Sequence, residues 1–530
     1  MSVCWVACAS MVLLWACSQS PSPSGADGTG VAPAPAPAPD LRILAGSELK
    51  ELEPEIVSAA RSAHLSVALS YAGTLEMVDR INQNEPFDAI LPPNGAYPSL
   101  ALTTKAVAKE KLFYSRVALG VKQSKAHALG WDRAAPNWSD VTQAVKDGKL
   151  VYAMTNPTSS NTGMSTLFAV AASIAKKTED LTATDVDRGA LKDFLSGQKL
   201  TAGSSGWLAD AYVREQDRLD ALVNYEAVLL RLNERPELRE KLTVIYPRDG
   251  VISADYPLML LDPAKRAEYD RLVAVLKGAG FQSNLQRTYL RPSDPTAQRA
   301  PKLSDATVVE LTFPNNLEVI DAVLAAYQAD LRRPATSIYL LDISGSMRGE
   351  RLASLKAALE LLTGVDARSS AARYARFQNR EHVILIPFST QPWTPVTFAF
   401  DNALEKQKTE QDLRGFVAEL QARGGTAIYS ALDLAFRLGH EELTHDPSRL
   451  VTVVLLTDGM NNRGLAPEEF QERWSGASES AAEPIRTFPI LFGEAGSSEL
   501  ERIASQTGGR AFDARNTDLR SVFQEIRGYQ

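Results

Sequence analysis

The chain has 530 residues, 45% of them hydrophobic and 23% charged, which is too long for a single core and suits two or three domains. A net charge of −8 excludes a general binder of nucleic acid or other polyanions. All three cysteines, Cys4, Cys8 and Cys17, lie at the extreme N-terminus, which excludes a disulfide framework or a cysteine-ligated zinc in the remainder.

Residues 3–16 are apolar apart from Ser10, too short a run to span a bilayer, and read as the apolar part of a signal peptide over residues 1–16. No Lys or Arg precedes the run, a departure from the usual signal pattern. Leu14-Trp15-Ala16-Cys17 resembles the lipobox of bacterial lipoproteins, which implies that Cys17 carries a lipid that anchors the chain to a membrane. Residues 17–40 are rich in Ser, Gly, Pro and Ala and close in Ala-Pro repeats, the composition of a semi-rigid extended tether. The expected location is the bacterial cell envelope, on its periplasmic or extracellular face.

From residue 41 the pattern becomes that of an α/β domain. Residues 41–45 read as a strand, followed by a helical face of Leu49, Leu52 and Ile56. A strand at 65–71, a helix at 74–82 and a short strand at 88–91 continue a β-α-β-α-β alternation that predicts a parallel sheet with helices on its faces. Residues 114–122 form an extended apolar crossover, and a buried strand at 150–154 feeds the hydroxyl-rich stretch 155–163 and a long apolar helix. A helix start crowded with Ser and Thr suits an anion, because backbone N–H groups and the helix dipole converge there. The same residues also serve as ordinary caps and turn formers. Another apolar strand, 221–226, ends in polar residues, and residues 244–250 have the character of a return crossover.

The order of these pieces across 41–290 resembles the type 2 periplasmic solute-binding fold of bacterial transport systems: two α/β lobes that close on a ligand. That resemblance implies a clamp for a small solute or anion, with Ser47, Thr74, Ser160, Thr162 and Tyr225 as its candidate contacts.

Arg291-Pro292-Ser293-Asp294-Pro295 punctuates the end of this domain and opens a connector over 291–335 with helical spacing through Val323, Leu324 and Tyr327. In the last domain, 336–530, the apolar run Ile338-Tyr339-Leu340-Leu341 leads into Asp342-Ile343-Ser344-Gly345-Ser346-Met347. Carboxylate and hydroxyls at the carboxyl end of a buried strand lie where open α/β sheets hold their ligands, and they are the oxygen donors that Mg²⁺ prefers. Gly424-Gly425-Thr426 opens a further apolar helix, and the strand 450–456 runs into Thr457-Asp458-Gly459. Together these three pieces resemble the metal-ion-dependent adhesion site of the von Willebrand factor A domain, a doubly wound, Rossmann-like α/β fold. The resemblance implies Ser344, Ser346 and Thr426 as hydroxyl ligands of Mg²⁺, with Mn²⁺ or Ca²⁺ as substitutes, and Asp342 and Asp458 holding the ion mostly through water. It further implies a protein partner whose acidic residue completes the coordination.

His440 and His445 are five apart, a rotation of about 140° on a helix, so they cannot share one zinc and read as solvated residues near a helix end. No nucleophile elbow, Walker loop or dinucleotide glycine fingerprint is present, and the chain reads as a binding protein and not an enzyme. The leading expectation is a membrane-anchored extracytoplasmic protein that binds a partner through a divalent cation and a small solute through its clamp. The alternative is the receptor of a transport system, with the last domain as a docking module.

Overall fold

The computed structural model describes residues 38–365, 370–480, 484–491, 497–515 and 519–530. The signal segment, Cys17 and the tether as far as residue 37 lie outside the described residues, as does Phe492.

Strands β1 (Leu41–Gly46), β2 (Val67–Ala72), β3 (Ala89–Leu91) and β4 (Ala108–Lys111) open the first lobe, with helix α1 (Thr74–Asn82) after β2. The second lobe holds β5 (Phe113–Lys122), β6 (Tyr152–Thr155), α2 (Asn161–Ala175), β7 (Gln198–Ala202), α3 (Ser205–Glu215), β8 (Ala221–Tyr225), α4 (Glu226–Leu232) and β9 (Leu242–Ile245). The chain returns through β10 (Ser253–Ala254) to β11 (Pro257–Leu260), and β12 (Arg291–Pro292) pairs back onto β5. The first sheet has the order β2-β1-β3-β11-β4, with β2, β1 and β3 parallel and β11 antiparallel to both its neighbours. The second runs β10-β5-β8-β6-β7, with β9 and β12 also on β5.

The hinge between the lobes is short. Only the fully buried Leu112 separates β4 from β5, and only Asp255 and Tyr256 separate β10 from β11. The Leu112 N–H donates to the Tyr256 carbonyl at 3.2 Å, tying the two crossings together. Tyr256 is buried with φ at +33°, a backbone region costly for a bulky side chain, so the surrounding structure must impose it. The return crossing therefore lies at Asp255 and Tyr256, beyond the expected 244–250. The reason is that residues 242–245 first pair antiparallel with β5 as one more strand of the second lobe.

After the connector helix α5 (Leu317–Ala326) comes a third sheet: β13 (Ala335–Asp342), α6 (Glu350–Leu362), α7 (Ser370–Ala375), β14 (Glu381–Phe388), β15 (Val396–Ala399), α8 (Ile428–His445), β16 (Leu450–Thr457), β17 (Arg486–Leu491), β18 (Phe512–Asp513) and the last helix, α9 (Leu519–Arg527). Its order is β15-β14-β13-β16-β17-β18, parallel except for the edge strand β15. Every residue of β13 and of β16 is buried, as a parallel sheet covered on both faces requires, and this is why both strands read as nearly unbroken apolar runs. In α6 the buried stripe is Leu355, Ala358, Leu359 and Leu362, with Leu352 partly covered. His440 is less solvated than its sequence suggests, because its ring stacks on Trp474 at 5.2 Å.

The three sheets belong to one compact unit, Pro39–Gln530. Helix α7 of the third sheet packs on α1 of the first lobe. On the second lobe, Arg486 of β17 donates to both carboxylate oxygens of Glu215, at 2.8 and 2.5 Å, and Gln328 donates to Thr158 Oγ1 at 2.8 Å. The C-terminal turn reaches the same lobe: a Cβ on Gly528 would lie 2.6 Å from Gly203 Cα and 3.1 Å from Ser159 Oγ, so these backbones meet closely enough to require glycine.

Candidate metal centre and solute cleft

At the carboxyl end of β13, Asp342 is fully buried, and its two oxygens accept hydrogen bonds from the Ser344 N–H at 2.8 Å and the Thr457 hydroxyl at 2.6 Å. The carboxylate thus ties the first loop to the end of β16, the neighbouring strand. Ser344 Oγ lies 3.0 Å from Ser346 Oγ, which donates to Asp458 Oδ1 at 2.8 Å. Thr426 enters from the loop before α8: a Cβ on Gly459 would stand 3.6 Å from Thr426 Oγ1 and 4.0 Å from Ser346 Oγ. Asn462 Oδ1 accepts from the Thr426 N–H at 3.0 Å, and Asn461 Oδ1 accepts from the Ile428 N–H at 2.8 Å, so the loop after β16 pins the start of α8.

The five residues expected around the ion are thereby gathered at one end of the sheet. Three hydroxyls and two carboxylates are a hard oxygen donor set, and the close hydroxyl and carboxylate contacts fit a small divalent cation. Burial pushes the Asp342 carboxyl up to about 6, and the neighbouring Asp458 adds to the rise within this acidic cluster. One positive group already faces it: Arg351 Nη1 lies 2.5 Å from Asp458 Oδ2, on a side chain 41% exposed. Among the described residues there is no cluster of three or more His, Cys, Asp or Glu side chains that could hold a metal.

The second feature is a cavity of about 1210 Å³ between the lobes, larger than most small-molecule sites. Ser47 lines it from the first lobe. Tyr225 ends β8 in a small adjoining crevice shared with Glu48 and Tyr256, and its hydroxyl accepts from Asn161 Nδ2 at 3.0 Å. Thr74 is buried at the first turn of α1, and its hydroxyl has no hydrogen-bond partner among the described residues. Ser160 and Thr162 are placed otherwise than expected. Thr162 Oγ1 is 2.5 Å from Ser205 Oγ, inside the lobe, and Ser160 is the buried N-cap of α2. Within the hydroxyl-rich stretch 155–163, the residues that line the cavity are Thr158 and Ser159.

Sequence reasoning did not single out Glu48, Arg231 or Tyr256, nor the last helix as a wall of the cleft. The signal available was an acidic residue directly after Gly46-Ser47, at the end of the first strand. Glu48 Oε1 is shielded from solvent without a hydrogen-bond partner, and a Cβ on Gly46 would approach it to 2.6 Å, so glycine makes room for the folded-back carboxylate. Burial pushes this acid up to about 7, against the pull of Arg231.

Residues 41–291 match the family model for bacterial extracellular solute-binding proteins, and residues 338–526 match the model for the von Willebrand factor type A domain. Inter-alpha-trypsin inhibitor heavy chain H4 of Sus scrofa is 30% identical over 186 residues, 34% of this chain and 18% of that protein; the chain thus spans under a fifth of that relative's length. Among solved structures, the periplasmic binding protein AfuA from Actinobacillus pleuropneumoniae is similar at 12% identity and a TM-score of 0.41, over 53% of this chain and 93% of that one. The ferric binding protein from Campylobacter jejuni is similar at 14% identity and a TM-score of 0.42, over 53% and 96%. A von Willebrand factor type A structure from Catenulispora acidiphila is similar at 18% identity and a TM-score of 0.29, over 37% and 42%.

Proposed function

For a chain that joins a bacterial extracellular solute-binding domain to a von Willebrand factor type A domain, and is thus an extracytoplasmic binding protein, we propose that the C-terminal domain captures a protein partner through a divalent cation while the N-terminal clamp holds a small solute. The observation that carries the first half is the oxygen cluster of Asp342, Ser344, Ser346, Thr426 and Asp458 at the carboxyl ends of β13 and β16. A bound Mg²⁺, with Mn²⁺ or Ca²⁺ as substitutes, supplies a positive charge that the neutral hydroxyl ligands leave largely unquenched, and hence affinity for a partner's carboxylate.

The chain's own residues prepare that site. Asp342 holds the two loops in register through its paired hydrogen bonds, and Ser346 orients Asp458. Arg351 balances the charge of Asp458 and competes with a cation for it. Its exposed side chain can leave towards solvent at little cost, so Arg351 would yield Asp458 to a bound cation. In the bacterial envelope, anchored through a lipid on Cys17 and held off the membrane by the Ala-Pro tether, this surface faces other envelope proteins.

The test is a capture experiment from an envelope extract with the full chain as bait, in Mg²⁺, in EDTA, and with Asp342→Ala. A protein retained only in the first arm supports the reading, and equal retention in all three overturns it. Direct titration of Mg²⁺ adds a second measurement: Arg351→Ala should tighten the ion several-fold, and an unchanged or weaker affinity would show that the guanidinium does not compete.

A further inference from the structure

The cavity between the lobes has a third wall. Tyr374 and Ala375 of α7 and Val522, Gln524 and Glu525 of α9 line it together with the two lobes, so part of its surface belongs to the C-terminal domain. Its charge is also unevenly matched. Each arginine on its lining is already held by an acid: Arg80 by Glu85 at 2.9 Å, Arg231 by Glu51 at 2.6 Å, Arg527 by Glu381 at 2.5 Å, Arg235 by Asp210 and Arg510 by Glu525. The remaining lysine, Lys50, is exposed at the mouth. On the acidic side, Glu48 has no ion-pair partner among the described residues and leaves Oε1 without a donor. Glu76 has only the shared Arg80, at 3.8 Å. Glu76 is on the first lobe and Glu525 on the C-terminal domain, and Glu525 raises the cost of charge on Glu76.

A free anion entering this cavity would have to break an existing pair to find a guanidinium. A cation with N–H donors meets the Glu48 carboxylate, which has no ion-pair partner among the described residues, and two like-charged acids that it can separate. Glu48 also lies against the hinge, sharing a small crevice with Tyr256, Arg231 of α4 and Tyr225 at the end of β8. A ligand held by Glu48 therefore sits against one of the two crossings that join the lobes.

We propose that the solute site of this protein is a single cavity walled by both lobes and by the last helix of the C-terminal domain, and that it takes a small solute carrying an ammonium or guanidinium group, with Glu48 and Glu76 as its counter-charges and Gln524 as a contact from the C-terminal domain. This rests on the clamp reading above and adds the ligand class and the shared wall.

The test uses the full chain in calorimetric titrations with L-arginine, putrescine and spermidine as cationic probes, inorganic phosphate as the anionic probe and glucose as the neutral one. A cationic probe should bind, and phosphate and glucose should not. Glu48→Gln, which keeps the shape and removes the charge, should weaken the bound cation by about tenfold or more, with the thermal midpoint of the free protein not lowered. Gln524→Lys, on a half-exposed position of the third wall, should weaken it by a similar factor by placing a positive charge beside the ligand. Binding of phosphate or glucose in place of the cations overturns the ligand class and leaves the clamp reading standing. Failure of every probe at millimolar concentration removes both. Cation binding that responds to Glu48→Gln and is untouched by Gln524→Lys overturns the shared wall alone.

Discussion

Two glutamates, one in each domain, are desolvated to different degrees and end in opposite states. Glu381 opens β14 and is fully buried: Arg527 donates to it at 2.5 and 2.8 Å, the Ser337 hydroxyl at 2.8 Å and the Gln378 N–H at 3.0 Å. Although burial alone raises its pKa, the facing Arg527 and Arg332 and these hydrogen bonds win, and the carboxyl is held down at about 2. Glu48 has the nearby Arg231 engaged elsewhere, by Glu51, and burial drives it up to about 7. The contrast separates structure from recognition. An acid whose every lone pair is answered by its own chain fastens an element, here α9 onto the third sheet, whereas an acid left short of donors has capacity for something that arrives.

The sharpest way to break the contrast is at Glu381. Replacing it with Gln leaves Arg527 buried without its counter-charge, and such a loss costs about 3–5 kcal/mol. Urea or thermal unfolding of Glu381→Gln should show that loss, and a change under 1 kcal/mol, roughly the worth of a surface pair, would mean the pair contributes little. The pH dependence follows from the same depression. A carboxyl lowered from its ordinary 4.5 to about 2 contributes stability that is complete above 4.5 and disappears as pH falls through 2.

Glu48 has the reverse sign. Its carboxyl is raised from 4.5 to about 7, so the ligand-free protein is favoured by this group below 4.5 and loses that advantage as pH rises through 7. Glu76, also pushed to about 7, slopes the same way. Glu48→Gln should therefore stabilise the free protein at pH 8 by roughly 2 kcal/mol while changing little at pH 4.5. Equal stability of the two proteins at pH 8 would show that Glu48 finds a partner after all. The same titration bears on capture: a cationic solute should bind about tenfold more weakly at pH 6 than at pH 8, since protonated Glu48 offers it no charge.

The third sheet was readable from the chain because its evidence is local. Strands buried on both faces must be continuously apolar, and Asp342, Ser344 and Ser346 fall within one turn; Thr426 and Asp458, distant in the chain, were reached through the resemblance, and the sheet order sets β16 beside β13. The lobes were readable as alternating strands and helices for the same reason. Their cavity was less so, since the charges of Arg231, Glu51, Arg510 and Glu525 are matched by tertiary approach and not by spacing. Ser160 and Thr162 illustrate the limit. A run of hydroxyls marks a helix start well, yet which of them faces outward depends on how α2 and α3 meet, and there Ser205 takes Thr162 inward.

The smallest expected effect concerns the claim that the cavity's arginines are occupied by the protein itself. Arg510 pairs with Glu525 and lies with its guanidinium carbon 4.1 Å above the Trp207 ring of the second lobe and 4.6 Å above Phe512. A guanidinium over an aromatic face is worth about 0.5–1 kcal/mol at a partly exposed site. A double-mutant cycle of Trp207→Leu and Arg510→Met should return a coupling energy of that size, measured by unfolding, because the ring and the cation come from different domains and meet only when the two are docked. A coupling indistinguishable from zero would mean that Arg510 is loose enough to turn towards an anion in the cavity. The difference between the spent arginines and the unspent glutamates would then close from the arginine side. A coupling near 1 kcal/mol keeps Arg510 as a fastener of the third wall, which leaves Glu48 and Glu76 as the charges with capacity to spare.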